Sequence, residues 1–370
     1  MPRKARLHES RPWTYQKLSI GAACAAILLA SCGQPSGSLG NASGAPRGPL
    51  LYVSNETGGS VDVVDPARGA LVQRIAVGKR PRGIVLSHDR TRVFVALSGS
   101  PIGGPGVDES KLPPADRKAD GIGVIDVASH TLTRKYESGI DPETFALSPD
   151  DRTMFVSNED SGELSTVDVA TGAVRAHLKI GDEPEGVTIR PDGKLVYVTC
   201  ETSNAIYAID PADNRIAAIV PTSPRPRALV FTPDSRLAFA TAETGGAVDL
   251  IDPSARKVIK TIQIPKDSGN PIPPRPMGLA LSADAKHVFV SLGREKGLIE
   301  IDVATQAITR TIPNVGARPW GIALSPDGKQ IYTANGPSGD VSVVDIASGK
   351  VDRRIPVGGS PWGIAVLPSH

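Results

Sequence analysis

From residue 50 to the end, the chain is written in short runs where apolar residues alternate with small or polar ones, punctuated by glycine, proline and aspartate. The stretch from Gly321 shows the unit most clearly. Gly321-Ile322-Ala323-Leu324-Ser325 alternates small and apolar residues, as a half-buried strand does. Ser325-Pro326-Asp327-Gly328 follows, with proline second and glycine fourth, as a type I turn favours. A second strand is predicted over Gln330–Asn335, a third over Asp340–Asp345 and a fourth over 351–357, with a turn at Asp345-Ile346-Ala347-Ser348-Gly349. Nothing in the unit has the period of a helix.

The unit recurs. Seven proline-centred turns lead into strands: Pro81-Arg82-Gly83, Pro142-Glu143-Thr144, Pro184-Glu185-Gly186, Pro226-Arg227-Ala228, Pro276-Met277-Gly278, Pro319-Trp320-Gly321 and Pro361-Trp362-Gly363. Their spacings are 61, 42, 42, 50, 43 and 42 residues, so two repeats are stretched, by 19 and 8. Units of this length, each reading as four short strands, predict an all-β, seven-bladed β-propeller of four-stranded antiparallel blades. The ends interlock. The first unit, 51–78, supplies second, third and fourth strands; the last, Pro361–Leu367, supplies only a first. Pairing them completes the seventh blade, with the C-terminal strand innermost, and removes the open edge.

One acidic pattern needs no chemistry to explain it. Asp65, Asp126, Asp168, Asp210, Asp252, Asp302 and Asp345 each close a third strand and start a turn, where the side chain can accept from the backbone two residues on.

The first fifty residues read differently. Arg3, Lys4, Arg6, Arg11 and Lys17 precede a 13-residue apolar stretch, 18–30, too short to span a bilayer, so residues 1–31 are predicted to be a signal peptide. It ends in Leu29-Ala30-Ser31-Cys32, then Gly33, which resembles the bacterial lipobox. The resemblance implies that Cys32 carries lipid and anchors the protein to a membrane. Residues 32–49, rich in Gly, Ser, Pro and Ala, are expected to be a tether, with the propeller at 50–370. The expected location is the cell envelope, periplasm-facing or at the surface. Five positive residues and Glu9 leave with the leader, taking +4, so the formal +2 of the whole chain becomes −2. That balance argues against a strongly basic nucleic-acid binder. Cys24 leaves too, and with Cys32 acylated only Cys200 remains: no internal disulfide, no CxxCH haem site and no paired-cysteine metal site.

In a propeller of this order the loops joining strands two to three and four to one share one face, and both stretched segments, 98–121 and 265–276, fall there. Long loops in compact domains are more often functional than neutral. The same face carries the residues flanking each central proline. In ring order they are Arg80/Arg82, Asp141/Glu143, Glu183/Glu185, Arg225/Arg227, Arg275/Met277, Arg318/Trp320 and Ser360/Trp362. Second-strand ends add Glu56, Glu159, Glu201 and Glu243. The candidate binding residues are therefore Arg80, Arg82, Glu143, Glu185, Arg225, Arg227, Arg275, Arg318, Trp320 and Trp362. Arginine offers bidentate contacts to carboxylates and tryptophan a stacking face, which suits a small, partly planar anion or an acidic partner loop. The competing reading is that Arg and Glu pair across blades and simply seal the ring. His88, His130, His177, His287 and His370 all fall away from this mouth, so no catalytic triad or histidine metal centre is assembled, and neither catalytic residues nor a resident metal or cofactor are expected.

Tyr52-Val53-Ser54-Asn55, Phe155-Val156-Ser157-Asn158, Tyr197-Val198-Thr199-Cys200 and Tyr332-Thr333-Ala334-Asn335, with the Ser-Pro-Asp-Gly and Val-Val-Asp elements, resemble the YVTN-repeat propellers over residues 50–368. Arg80-Pro81-Arg82-Gly83, Ser157-Asn158-Glu159-Asp160, Glu183-Pro184-Glu185-Gly186 and Ala242-Glu243-Thr244-Gly245-Gly246 resemble in particular the propellers associated with pyrroloquinoline quinone (PQQ)-dependent alcohol catabolism. Thr144 and Ala228, in place of the turn glycine, and the 98–121 loop depart from that pattern. The resemblance implies a monomeric, non-catalytic binding propeller, with PQQ involved only through a partner protein. It also implies two alternatives. A related periplasmic YVTN propeller is associated with single-stranded nucleic acid, and lactone-hydrolysing propellers would use carboxylate-bound calcium or magnesium.

Overall fold

The computed structural model describes residues 48–103, 108–266 and 273–369. The expected signal peptide, the lipidation site Cys32, most of the tether and His370 lie outside them.

Among the described residues, twenty-eight strands form seven four-stranded antiparallel sheets. The innermost strands are Pro81–Leu86, Pro142–Leu147, Pro184–Ile189, Pro226–Phe231, Pro276–Leu281, Pro319–Leu324 and Pro361–Leu367, and each packs against the next around a closed ring. The seventh blade is composite, as the sequence predicted. Pro361–Leu367 pairs with Leu50–Asn55, in the register Leu50 to Leu367, Leu51 to Val366, Tyr52 to Ala365 and Val53 to Ile364.

The core lies between blades. Leu51, Val53 and Val64 of the closing blade pack on Tyr332, Ala334, Val341 and Val343 of the blade before it. Middle strands are thus covered on both faces: Leu50–Asn55 and Ser60–Asp65 are buried along their whole length, whereas the outermost Lys257–Gln263 is largely exposed. That is why the middle strands read as nearly continuous apolar runs.

The turns hold as their chemistry requires. Asp345 accepts from the Ser348 amide at 2.8 Å, and Asp65, Asp126, Asp168, Asp210, Asp252 and Asp302 make equivalent bonds. These seven aspartates are turn residues. The glycine after each central proline answers to crowding between innermost strands. A Cβ on Gly186 would lie 2.2 Å from the Arg227 carbonyl oxygen, and one on Gly321 2.6 Å from that of Trp362. Thr144, in place of a glycine, donates its hydroxyl to the Glu185 carbonyl at 2.5 Å.

Candidate functional site

The mouth of the ring is built by two backbone devices. Arg80, Asp141, Glu183, Arg225 and Arg318, each directly before a central proline, have left-handed φ values between 40 and 60°. Such positions cost on the order of 1–3 kcal/mol for residues other than glycine. They aim the pre-proline carbonyl back at the blade's second strand, where Glu159, Glu201 and Glu243 donate their amides to Asp141, Glu183 and Arg225 at 2.8–2.9 Å. Glutamates and pre-proline residues are thereby set side by side. The second device links blades. Hydroxyls of Ser54, Ser157, Thr199, Thr241 and Ser291 donate to the carbonyls of Arg82, Glu185, Arg227, Met277 and Trp320 in the next blade, at 2.5–2.9 Å. Each of these carbonyls belongs to a residue whose side chain faces the mouth. The Ser/Thr in the repeated Tyr-Val-Ser-Asn and Tyr-Val-Thr elements is therefore the positioning residue that the sequence reading missed; its recurrence one place before the strand end was the available signal.

All ten candidate residues line one cavity of about 1020 Å³. The long loop forms part of its wall through Ser100, Pro101, Ile102, Leu112, Pro113 and Arg117. It is an ordered wall where it is described. Arg80 donates to the carbonyls of Ser100 (2.7 Å) and Pro101 (3.1 Å), Arg117 pairs with Asp160 at 2.6 Å, and Asp120 accepts from the Gly99 amide at 2.6 Å.

The cavity has two unlike sides. On one, arginine and carboxylates interlock below the surface. Arg82 is 5 % exposed and pairs with Asp141 at 2.7 Å and with Glu143, with Glu159 at 3.6 Å. Arg227 reaches Glu201 (2.7 Å), Glu243 (2.8 Å) and Glu185 (2.9 Å); Arg225 meets Glu243 at 3.0 Å and also Glu201; Arg275 meets Glu243 at 2.8 Å. Burial raises Glu185 and pushes Glu201 up to about 9 despite Arg227 and Arg225. Burial would raise Glu243 as well, but Arg227, Arg275 and Arg225 bring it down to about 2. Across blades, arginine and glutamate do pair and seal the ring here.

The other side is aromatic and cationic. Trp320 and Trp362, on adjacent blades, stack with centroids 5.9 Å apart and planes at 21°. The Arg318 guanidinium lies 4.6 Å from the Trp320 ring centre and that of Arg227 5.1 Å. Arg318 and Arg294 line the cavity with no carboxylate in pairing distance among the described residues. Partial desolvation and the charge of Arg227 draw Arg318 below the usual arginine range.

Residues 181–370 match the YNCE-like beta-propeller family, half of the whole chain and the greater part of the ring. The chain belongs to that family. Residues 51–225 also match a Choice-of-anchor I domain, so the two matches together run along the propeller of this YNCE-like protein. No curated protein matches it significantly. Among solved structures, the Pseudomonas aeruginosa periplasmic gluconolactonase PpgL superposes with a TM-score of 0.70 at 22 % identity, over 86 % of this chain and 99 % of that one. Kuenenia stuttgartiensis hydrazine synthase gives 0.64 at 21 %, over 77 % and 89 %. A putative 6-phosphogluconolactonase from Bacteroides fragilis gives 0.69 at 16 %, over 86 % and 98 %. At these identities the likeness is one of fold.

The four described histidines stay outside the mouth of this family member. His88 meets Asp151 at 2.6 Å, His130 the Tyr52 hydroxyl at 2.8 Å, His177 Ser165 at 3.0 Å and His287 Glu300 at 2.9 Å. The described lining of the cavity contains no histidine, cysteine or tyrosine.

Proposed function

We propose that this chain is a non-catalytic, lipid-anchored envelope propeller that binds a small planar anion, free or displayed by a partner protein, at the Arg318–Trp320–Trp362 side of its mouth. The observation that carries this is the stacked tryptophan pair with Arg318 against the Trp320 ring and Arg294 in the same cavity lining, two cations with no carboxylate in pairing distance among the described residues. A flat ligand gains a π-face there, and its carboxylates gain guanidinium partners in a partly desolvated cavity. The acids opposite supply selectivity by repelling the wrong end of the ligand. They also disfavour a long nucleic-acid strand, whose phosphates would cross Glu183 and Glu159. A role beside a PQQ-dependent oxidation system rests on the repeat motifs around Arg82, Glu185 and Glu243 alone. Lactone hydrolysis is named for two of the similar structures, but likeness of fold does not transfer it.

Processing at Cys32 removes Trp13, leaving Trp320 and Trp362 as the only tryptophans, so intrinsic fluorescence reports on the site itself. Titrating the processed protein with planar heteroaromatic di- and tricarboxylates should give saturable quenching, abolished in Arg318→Glu and strongly reduced in Trp362→Ala. A steep decrease of affinity for oligonucleotides with salt would instead favour the nucleic-acid reading. Absence of saturable quenching across the panel refutes the anion site.

A further inference from the structure

The opposite wall of the same cavity carries a second site, independent of the anion reading. We infer that Glu143, Glu159 and Glu185 bind one divalent, oxygen-preferring cation, calcium by size. The three come from two adjacent blades: Glu143 from the innermost strand Pro142–Leu147, Glu159 from just after the second strand of that blade, and Glu185 from the innermost strand Pro184–Ile189. One carboxylate oxygen from each lies within 4.8 Å of the other two. A calcium ion binds oxygens at about 2.3–2.6 Å, so one ion can touch all three from a central position with little movement. Magnesium demands near-octahedral geometry and gives up its waters reluctantly, which a triad of three carboxylates suits less well.

Two further observations point to a ligand rather than to a self-sufficient acidic cluster. Glu143 is 2 % exposed, and its Oε2 is buried without a hydrogen-bond partner. A buried carboxylate oxygen left unmatched is costly, and its other oxygen is already committed to Arg82. Charge gives the second. The ion pairs form two groups, Asp141, Glu143 and Glu159 on Arg82, and Glu183, Glu185, Glu201 and Glu243 on Arg225, Arg227 and Arg275, so that seven carboxyl groups meet four guanidiniums. That surplus of three acids has to be met by protons or by a cation. Arg82 touches the triad from the Glu143 Oε1 side, which leaves the partly exposed Glu159 as the way in for an ion that the buried Glu143 Oε2 then meets.

The test uses the full-length protein, stripped with chelator and titrated calorimetrically with calcium, magnesium and manganese. One calcium per chain is expected, with magnesium weaker. Glu159→Gln and Glu185→Gln should each weaken calcium at least tenfold, and calcium should raise the melting temperature of the parent protein but not of these variants. Glu159 is the safer variant, since its side chain is only partly buried and its loss spares the fold. Glu183→Gln, at the same rim but outside the triad, should bind as the parent does. Trp362→Ala should also bind calcium normally, which keeps this site separate from the anion site. No saturable binding at millimolar calcium, or equal weakening by Glu183→Gln, overturns the assignment.

Discussion

Arg227 offers the sharpest test of how the ring is held. Its guanidinium sits among Glu185, Glu201 and Glu243, and the side chains of those three are 6, 0 and 6 % exposed. Burial alone would lower the arginine's pKa, but the three carboxylates more than reverse this and hold it charged. Arg227→Met keeps most of the volume and removes the charge. Arg225 and Arg275 remain on Glu243, and Arg225 on Glu201, but Glu185 loses its closest cation. Removing one partner of a buried pair costs about 3–5 kcal/mol, because the other charge stays behind uncompensated. For a domain of this size that corresponds to a fall of roughly 6–10 °C in melting temperature, at about 2 °C per kcal/mol. Arg215 is the contrast. It also makes two ion pairs, to Asp210 at 3.0 Å and Asp213 at 3.2 Å, but its side chain is 58 % exposed. Arg215→Met should cost about 0–1 kcal/mol. Urea unfolding followed by circular dichroism, on both variants and the parent, measures the difference. If the two variants agree within 1 kcal/mol, the Arg227 network is not the desolvated ion cluster that its burial describes.

Three further outcomes are expected. Deleting residues 359–370 removes the strand paired with Leu50–Asn55 and uncovers Leu51 and Val53, a loss of several kcal/mol at about 1.5–3 kcal/mol per buried side chain; a cooperative melt at the parent temperature would contradict ring closure. Cys32→Ala should abolish lipid labelling and release a folded protein into the soluble fraction, and unchanged membrane partitioning would refute the lipoprotein reading. His130 should titrate below its ordinary 6.5 in an NMR pH series, because partial burial outweighs the pull of Asp126 and the Tyr52 hydroxyl hydrogen-bonds its ring nitrogen. A histidine with a lowered folded pKa binds fewer protons folded than unfolded, so its contribution is present above pH 6.5 and fades as pH falls through the folded value. Titration above 6.5 would refute this.

The repeat made the architecture readable from the chain alone. Strand alternation, Asp-led turns and the proline spacing are all local, set within about a dozen residues, and the missing first strand at one end and the surplus one at the other defined the closure. Because each central proline marks the same position in its blade, the spacing also told which residues meet at the mouth, although they lie up to 282 positions apart, from Arg80 to Trp362. Sequence could not say how deep those residues sit or which face which. Arg82 follows its central proline and is sealed among Asp141, Glu143 and Glu159, while Arg318 precedes its own and lies beside a tryptophan ring. The acids around Arg82 come from the next blade, whereas the ring beside Arg318 is Trp320 of its own blade, stacked on Trp362 of the next. Burial of a charge depends on what packs beside it, and in a ring of blades that neighbour is some forty or more residues away in sequence. The tertiary structure therefore decided which arginines are paired with carboxylates and which, among the described residues, have no carboxylate in pairing distance.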